Sequence, residues 1–404
     1  VVPLRLRVLD LDFEYPRGAW GAYLPGHLQR PTADAYHNYA AEDWTEANLV
    51  PSFRFWRTRG LTSPSLFHVY PELACTDGHT AADFGEVRAV AEAMKRAGLP
   101  GPLCVDLRHT LWWANTAGRE LAGRRAQGRE LAGALGVAGP AGRLSSQYAP
   151  EALRLFSEAI VALLGTAQRE QWPSILLLPE EECSHVDKAA SYDASVATFK
   201  AAAGERTLLV DNVIGYGRAG EIDRGHRDGI AVREYNNWTD AGLAQARADG
   251  ATVWTYNLGW SRAAILLYTL RTGASGYHQW ADQWLHHEQP LEWLQTAVAD
   301  DGVVTSTSME TFHEALCDLG YVQMLLDLAA RLDAAGRGPE AAAARRVPAT
   351  LVAAAPVQRY EFLAWASQFS DADLDRQRWR LVAAIGVARA ALGLPAPTPA
   401  SVGP

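Results

Sequence analysis

The stretch DFGEVRAVAEAMKRAGLPGPLCVDLR, residues 83–108, contains the structural unit on which the prediction of the fold depends. Residues 83–99 have apolar side chains three and four positions apart, with Gly98 near the end, which predicts an amphipathic helix. Residues 101–108 are a short, mainly apolar run that predicts a buried strand. A helix followed directly by a strand is half of the repeating unit of an α/β protein.

The same succession of strand and helix recurs along the chain. Alternation of strands with helices implies parallel pairing, and eight such units fit a (β/α)8 barrel of the TIM type. We therefore expect an α/β fold, a (β/α)8 barrel with a C-terminal helical extension. The eight predicted strands cover residues 19–24, 64–70, 101–108, 174–181, 206–213, 229–237, 251–259 and 275–284.

Three segments do not belong to a minimal barrel. Residues 4–13 alternate as a strand does and would fit the last strand of a preceding β-domain, while residues 114–145 are rich in Ala, Gly and Arg and indicate an insertion. The end of the chain is Ala-rich and then Pro-rich, which indicates appended helices followed by a disordered tail. The predicted division is a barrel over 1–335, a helical addition over 336–390 and a tail over 391–404.

Composition excludes several classes of function. The 404 residues are 48% hydrophobic and carry a modest formal charge of −9, without a basic stripe for phosphates, so we expect no nucleic acid partner. The four cysteines lie far apart without CxxC spacing, and no apolar run is long enough for a membrane span. The 14 Trp and 14 Tyr are compatible with sugar binding, although most aromatic side chains of an enzyme lie in its core.

The carboxyl ends of the predicted strands, where barrel enzymes place their chemistry, carry carboxylates, amides and aromatic rings. The fourth strand leads directly into three glutamates, in SILLLPEEECSH at residues 174–185. This combination is typical of a sugar pocket rather than of a nucleotide site. The other strand-end residues are Asp106, Arg108, His109, Asp211, Asn212, Glu234, Tyr235, Asn236, Asn237, Trp254, Tyr256, Asn257, Tyr277, His278, Gln279, Trp280, Asp282 and Trp284.

Each of these features also has a purely structural explanation. The glutamates would be favoured at the start of the next helix by its dipole, and any single tryptophan of residues 277–284 would fit the core. The position of the glutamates at the end of strand four favours the functional interpretation. The histidines at 185, 278, 286 and 287 lack the spacing of a metal motif, so we expect no metal and no cofactor.

The order of several segments resembles the catalytic barrel domain of glycoside hydrolase family 123 and its uncharacterised relatives. The resemblance covers roughly residues 15–335 and depends on the order of the segments, because none of them is diagnostic alone. The matching segments are GAWGAYLPG (18–26), FRFWRTRGLTSPSLF (53–67), DFGEVRAVAEAMKRAGLPGPL (83–103), LLLPEEE (176–182), WTYNLG (254–259), SRAAILLYTLRTGASGYHQWADQW (261–284) and METFHEALCDLGYVQMLLDLAARL (309–332).

The resemblance implies substrate-assisted hydrolysis of N-acetylhexosaminides. In that family an Asp orients the acetamido group of the substrate, which attacks its own anomeric carbon, and the adjacent Glu protonates the leaving oxygen. Here the pair is Glu-Glu, so that Glu181 would orient and Glu182 would act as the acid; a shift of one residue would give Glu180 and Glu181. The longer side chain at the orienting position leaves the acetamido specificity open.

The resemblance also implies residues that bind the substrate. Tyr256 and Asn257 match positions that offer hydrogen bonds to the acetamido group, and Trp280 and Trp284 match aromatic walls. Tyr235 and Arg262 match less closely. The substrate-binding prediction is completed by the strand-end residues Glu180, Asp106, Trp254 and Tyr277.

Two other functions remain open at this point. A conventional glycosidase would combine Glu182 with a second carboxylate, Glu234 or Asp282, and the separation of the carboxyl groups would distinguish retention from inversion. A non-catalytic glycan-binding barrel would need the aromatic residues Trp254, Trp280 and Trp284 but not the acid. The expected partner is a glycan, and the sequence does not decide the sugar, the linkage, the oligomeric state or the compartment.

Overall fold

The computed structural model describes residues 11–24, 45–66, 72–106, 110, 114, 117, 150–179, 189–204, 209–213, 223–279, 296–299 and 302–395. Within these ranges the side chains of residues 189–191, 209–213, 296–299 and 304 are not described.

The strands within the described residues form two parallel sheets and two small hairpins. They are β1 (Ala19–Ala22), β2 (Ser65–Leu66), β3 (Glu72–Thr76), β4 (His79–Asp83), β5 (Leu103–Asp106), β6 (Ile175–Leu178), β7 (Leu209–Val213), β8 (Val232–Asn237), β9 (Thr252–Tyr256), β10 (Gly276–Gln279), β11 (Thr296–Ala299) and β12 (Gly302–Thr305).

The parallel strands follow the order expected for consecutive strand and helix units. One sheet has the order β1-β10-β9-β8-β7 and the other the order β2-β5-β6, and every neighbouring pair in both is parallel. A parallel bridge between Tyr23 and Ser65 connects the two sheets beyond the end of β1. Each of the eight parallel strands lies within one of the eight predicted runs. The prediction of an α/β fold with parallel strands is therefore confirmed.

Helices follow most of the parallel strands. The predicted helix at 83–99 is observed at Gly85–Ala97 and ends at Gly98, whose left-handed φ of 70° favours glycine. The described helices are α1 (Glu46–Thr58), α2 (Gly85–Ala97), α3 (Pro150–Arg169), α4 (Ala189–Ala202), α5 (Arg224–Arg227), α6 (Asp240–Ala248), α7 (Arg262–Thr272), α8 (Thr307–Ala334), α9 (Gly338–Leu351), α10 (Arg359–Ala366) and α11 (Asp371–Ala391).

The main hydrophobic core lies between the parallel strands and these helices. Alternate residues of a strand point to opposite faces, and the outward-facing set, such as Trp20, Leu103 and Val253, packs with helical residues such as Met94 and Phe156. The opposite, inner face of the strands carries a separate set of side chains. This inner face holds the candidate site.

The two hairpins, β3–β4 and β11–β12, are antiparallel additions outside the eight predicted strands. The first turns at Asp77 and Gly78, both with positive φ, and lies against α3, where Thr80 N donates a hydrogen bond to Glu158 Oε2 at 2.8 Å. These hairpins are peripheral to the parallel strands.

The C-terminal helices form a second core of their own. Residues of α8, α9 and α11, among them Leu325, Ala341 and Ile385, are buried against one another. In contrast, α10 packs on α7, where the rings of Tyr268 and Phe362 are 4.6 Å apart. The helix α11 continues to Ala391, the first residue of the predicted tail, and residues 396–404 lie outside the described residues. The proposed division at 335 remains a prediction.

The segment before β1 differs from the prediction of an opening strand. The described part of that run, residues 11–13, is not in a strand, and residues 4–10 lie outside the described residues. Phe13 packs instead against Tyr321 of α8, with ring centroids 5.2 Å apart. A Cβ at Gly320 would lie 2.7 Å from the carbonyl oxygen of Glu14, so the absence of a side chain allows this close approach. Of the predicted insertion at 114–145, only Ala114 and Ala117 are described, and both are helical and buried.

Candidate functional site

Four side chains on the inner face meet at the carboxyl ends of the parallel strands. We call Tyr23, Glu234, Tyr256 and His278 the inner cluster. The ring of Tyr23 lies 5.2 Å from that of Tyr256 and 6.0 Å from that of His278, and the Tyr23 hydroxyl donates a 3.4 Å hydrogen bond to Glu234 Oε2. The cluster joins the first, sixth, seventh and eighth parallel strands of the chain.

The centre of the inner cluster is a buried acid next to a histidine. His278 Nδ1 lies 2.9 Å from Glu234 Oε1, and both side chains are 0% exposed. The other ring nitrogen, Nε2, lies 3.1 Å from Ser63 Oγ. Because a buried polar group is unfavourable without a polar partner, each of these two side chains depends on the other.

The part of the inner face next to the inner cluster is apolar. Ala19, Cys104, Leu178 and Trp254 form a small buried group. Burial raises the pKa of the Cys104 thiol, and the nearby charge of Glu234 raises it further, so this thiol stays neutral. The ring of Trp254 stands edge-on to that of His278 at 5.2 Å. The inner face therefore has an apolar floor with polar and aromatic groups above it.

A hydrogen-bonded network shapes the segment after β9, residues 257–259. Asn257 has a left-handed φ of 55°, and its N–H donates to the His278 carbonyl at 2.9 Å. Gln279 Oε1 accepts from Gly259 N at 2.9 Å, which fixes the oxygen of that amide; its Nε2 then donates to Asn257 Oδ1 at 3.1 Å. The Asn257 amide is thereby oriented with its oxygen towards Gln279 and its NH2 group away from it.

The structure separates the predicted substrate-binding residues by the face on which they lie. Tyr256 belongs to the inner cluster, and Asn257 follows it in a half-buried position at the carboxyl end of β9. Trp254 lies on the inner face as well, but in the apolar floor, where it is 4% exposed. Only Tyr256 and Asn257 of these three are at the level of the strand ends.

Tyr235 and Tyr277 lie on the outer face, away from the inner cluster, and their contact with a substrate stays a prediction. The Tyr235 hydroxyl donates to Asp223 Oδ1 at 2.6 Å, and its ring stacks on Trp238. The Tyr277 hydroxyl donates to the Gly259 carbonyl at 2.7 Å, and its ring is fully buried. The reason is the two-residue period of a strand, because each tyrosine adjoins an inward-facing residue, Glu234 or His278.

Asp106 and Arg262 have contrasting positions. Asp106 is the last residue of β5, is buried, and lies in register with Leu178 of β6, after which Pro179 leads to the glutamates. Arg262 follows β9 but turns towards the helices, where its Nε donates to Asp318 Oδ2 at 2.8 Å. The substrate contact of Arg262, the weaker prediction, stays untested, and this arrangement does not support it. Glu180, Glu181, Glu182, Trp280, Asp282 and Trp284 lie outside the described residues.

Two residues of this region were missed in the sequence. Tyr23 could have been found from strand alternation, since Ala19, Gly21 and Tyr23 share one face of the first predicted strand. Arg359, at the start of α10, contacts Asn236 Oδ1 and the Asn257 carbonyl. No signal in the sequence connects this arginine to strands more than a hundred residues earlier.

Neither a metal-binding cluster nor a membrane-spanning helix is found in the described part of the chain. No group of three or more His, Cys, Asp or Glu side chains there is arranged to hold a metal ion. None of the helices described is both long and apolar enough to cross a membrane.

Comparison with known proteins gives a likeness in structure only. No family model matches the sequence, and no curated protein matches it. A family 123 glycoside hydrolase from Clostridium perfringens matches with a TM-score of 0.58 and 12% identity, over 96% of this chain and 72% of that one. The fold is therefore similar to that of a family 123 enzyme.

Other solved glycoside hydrolases match less closely. A GH39 enzyme from Xanthomonas axonopodis pv. citri has a TM-score of 0.41 and 13% identity, over 77% of this chain and 68% of that one. A GH10 endo-β-1,4-xylanase from Gloeophyllum trabeum has a TM-score of 0.42 and 11% identity, over 76% and 99%.

Proposed function

We propose that this protein is a glycoside hydrolase and that its eight parallel strands close into a barrel with the active site at their carboxyl ends. The observation that carries the proposal is the inner cluster at those ends, in a chain whose fold is similar over 96% of its length to that of a family 123 glycoside hydrolase. That enzyme is described as hydrolysing glycolipid glycans. Acids, amides and aromatic rings that converge in this way suit a sugar.

The proposed reaction is retaining hydrolysis of an N-acetylhexosaminide with assistance from the substrate. The acetamido oxygen attacks the anomeric carbon as the bond to the leaving oxygen breaks, and Glu182 gives its proton to that oxygen. Glu181 holds the acetamido N–H and stabilises the positive charge of the oxazolinium intermediate. Water then opens the intermediate, with the Glu182 carboxylate as base. The nucleophile is already in place within the substrate, which lowers the entropic part of the barrier.

The described residues supply the surroundings of this reaction. Asp106 ends the strand adjacent to β6, Tyr256 ends β9, and Asn257 follows it directly. The Asn257 NH2 group, directed away from Gln279, is a suitable donor to a sugar oxygen. Glu234 and His278 both contact Tyr23 and so help to hold its ring in place. In this proposal Trp280 and Trp284 form the aromatic walls.

The burial of Glu234 argues against its use as the second carboxylate of a conventional glycosidase. A nucleophile must reach the anomeric carbon, whereas Glu234 is 0% exposed and lies against His278 and Tyr23. For the two-carboxylate alternative this leaves Asp282.

The proposal is tested with a panel of aryl glycosides that begins with N-acetylgalactosaminide and N-acetylglucosaminide, and with a glycan released from a glycolipid. We expect hydrolysis of an N-acetylhexosaminide and tight binding of the matching thiazoline inhibitor. Hydrolysis of other sugars without thiazoline inhibition would support the two-carboxylate mechanism. Glycan binding that is unchanged by Glu182→Gln, without any hydrolysis, would show a binding protein instead of an enzyme.

A further inference from the structure

We propose that the C-terminal helices complete the glycan site, with Arg359 as a positioning residue that holds the ends of β8 and β9 in place. The role of Arg359 in glycan hydrolysis rests on the proposed function, whereas its role in holding the strand ends does not. The predicted helical addition would then be part of the active site and not an appendage.

Arg359 connects two neighbouring strands where they end. Its guanidinium donates through Nη1 to Asn236 Oδ1 and through Nη2 to the Asn257 carbonyl. Its backbone N–H donates to Asn237 Oδ1 at 2.7 Å, and the neighbouring Gln358 Oε1 accepts from Asn237 Nδ2 at 2.9 Å. Asn236 and Asn237 are buried residues of β8, and Asn257 follows β9 directly.

The contact between the Arg359 guanidinium and the Asn257 carbonyl acts on a residue with an uncommon backbone conformation. A left-handed conformation is unfavourable for a residue with a side chain and persists where its surroundings hold it. Three contacts hold Asn257: its N–H to the His278 carbonyl, its Oδ1 to Gln279, and its carbonyl to Arg359. Among the described residues, none accepts a hydrogen bond from the Asn257 NH2 group. The three contacts therefore fix a donor that is available to a ligand.

The segment that carries Arg359 is anchored independently of its guanidinium. The Tyr268 hydroxyl donates to the Val357 carbonyl at 2.7 Å, and Arg271 Nε donates to the Ala355 carbonyl at 2.8 Å. Phe362 of α10 is fully buried against Tyr268. Loss of the guanidinium should therefore leave α10 in place while it removes the contacts to the strand ends.

The first test needs no glycan. Hydrogen exchange of the peptide covering residues 252–260 is compared in the wild-type protein, Arg359→Gln and the control Arg271→Gln. The control removes a hydrogen bond to the same segment at a site away from the strand ends. We expect faster exchange in this peptide for Arg359→Gln alone, with melting temperatures of the two variants that are similar. Unchanged exchange in Arg359→Gln would overturn the inference.

The second test asks whether the position of Asn257 matters for the reaction. On the best aryl glycoside of the panel, we expect kcat/KM to fall by roughly 10- to 100-fold in Arg359→Gln, as small misplacements in an active site do. Arg271→Gln should stay near the wild type. Arg359→Lys and added guanidinium ion with Arg359→Ala should each restore part of the loss. Equal kcat/KM values for Arg359→Gln and Arg271→Gln would overturn the role in the site.

The two proposals fail separately. A wild-type protein that hydrolyses no glycan and binds no thiazoline would refute the proposed function. The exchange measurement would then still decide whether Arg359 holds Asn257.

Discussion

The Nδ1 atom of His278 lies 2.9 Å from the Oε1 atom of Glu234, and water reaches neither side chain. The two residues belong to β10 and β8, so the contact spans the inner face across β9. With Tyr23 and Ser63 as further partners, it connects β8 and β10 to the segment that leads into β2 of the other sheet. The contact is thus a buried structural link next to the proposed active site.

Removal of one member of this pair should destabilise the fold strongly. Glu234→Gln replaces the carboxyl group beside the buried His278 with an amide, and leaving a buried polar group without its partner costs about 1–3 kcal/mol. Tyr23→Phe removes the long hydrogen bond to Glu234 and leaves the contact between Glu234 and His278 in place, so it should cost about 1 kcal/mol. Urea unfolding of the two variants measures the difference. Equal and small effects would show that the two groups do not depend on each other.

A second buried network should stabilise the junction of α7, α8 and α11. Asp318 is 1% exposed and accepts from Arg262 and Arg378, which also pairs with Glu314. Asp318→Asn would leave two guanidinium groups with a weaker partner, and we expect a loss of about 3 kcal/mol.

The control for this network is an exposed pair on the same helix. Asp327 pairs with Arg17 while both side chains are more than half exposed, so Asp327→Asn should cost less than about 1 kcal/mol. Urea unfolding of Asp318→Asn and Asp327→Asn decides the question. Similar losses in the two variants would contradict the predicted importance of burial.

Alkaline conditions should destabilise the protein through the partly buried thiol of Cys317. Burial, with the charge of Glu314 as a further cause, raises the pKa of Cys317 to about 12 from an ordinary value of 9.0. Between these values the unfolded chain loses the proton and the folded chain keeps it, so stability falls as pH rises. Below pH 9.0 this contribution is fully present.

The control for this prediction is the exposed Cys75. Unfolding by urea at about pH 8 and about pH 10.5 should show a smaller loss of stability in Cys317→Ala than in the wild type. Cys75→Ala should behave as the wild type does. Burial raises the pKa of Tyr15 and Tyr321 as well, so the loss should not vanish in Cys317→Ala. An equal loss of stability between the two pH values in all three proteins would refute the assignment to Cys317.

The strands and their parallel pairing could be predicted from the sequence because both leave a local pattern. Short apolar runs such as 101–106 and 174–178 alternate with amphipathic stretches, and the observed strands lie within them. The local pattern is misleading in the opening run, where a strand is predicted but residues 11–13 are not in one. The side chain of Phe13 packs there against Tyr321 of a helix distant in the sequence. The dipeptide Asp77-Gly78 is a local turn signal for the first hairpin, which the pattern of apolar runs alone does not include.

For the site, the sequence predicts the location at the strand ends but not which side chains lie on its face of the strands. The candidates at 234, 256, 257 and 278 do lie there, but the period of two residues, which turns Tyr235 and Tyr277 outward, was not applied to them. Arg359 could not be found, because its contacts arise from the packing of α10 on α7, which depends on Tyr268 and Phe362 and not on any local pattern.

The most direct test of the central claim is the dependence of the rate on the leaving group in Glu182→Gln and Glu181→Gln. General acid catalysis is worth about 10²- to 10⁴-fold, and a good aryl leaving group needs little of it. Glu182→Gln should therefore slow the hydrolysis of sugar leaving groups far more than that of good aryl leaving groups. Glu181→Gln should slow both alike, because it removes orientation and charge stabilisation, and Glu180→Gln should have the smallest effect of the three. If Glu180→Gln is instead the most damaging and Glu182→Gln nearly silent, the working pair is Glu180 and Glu181; if all three changes are silent, the glutamates do not catalyse and the claim is contradicted.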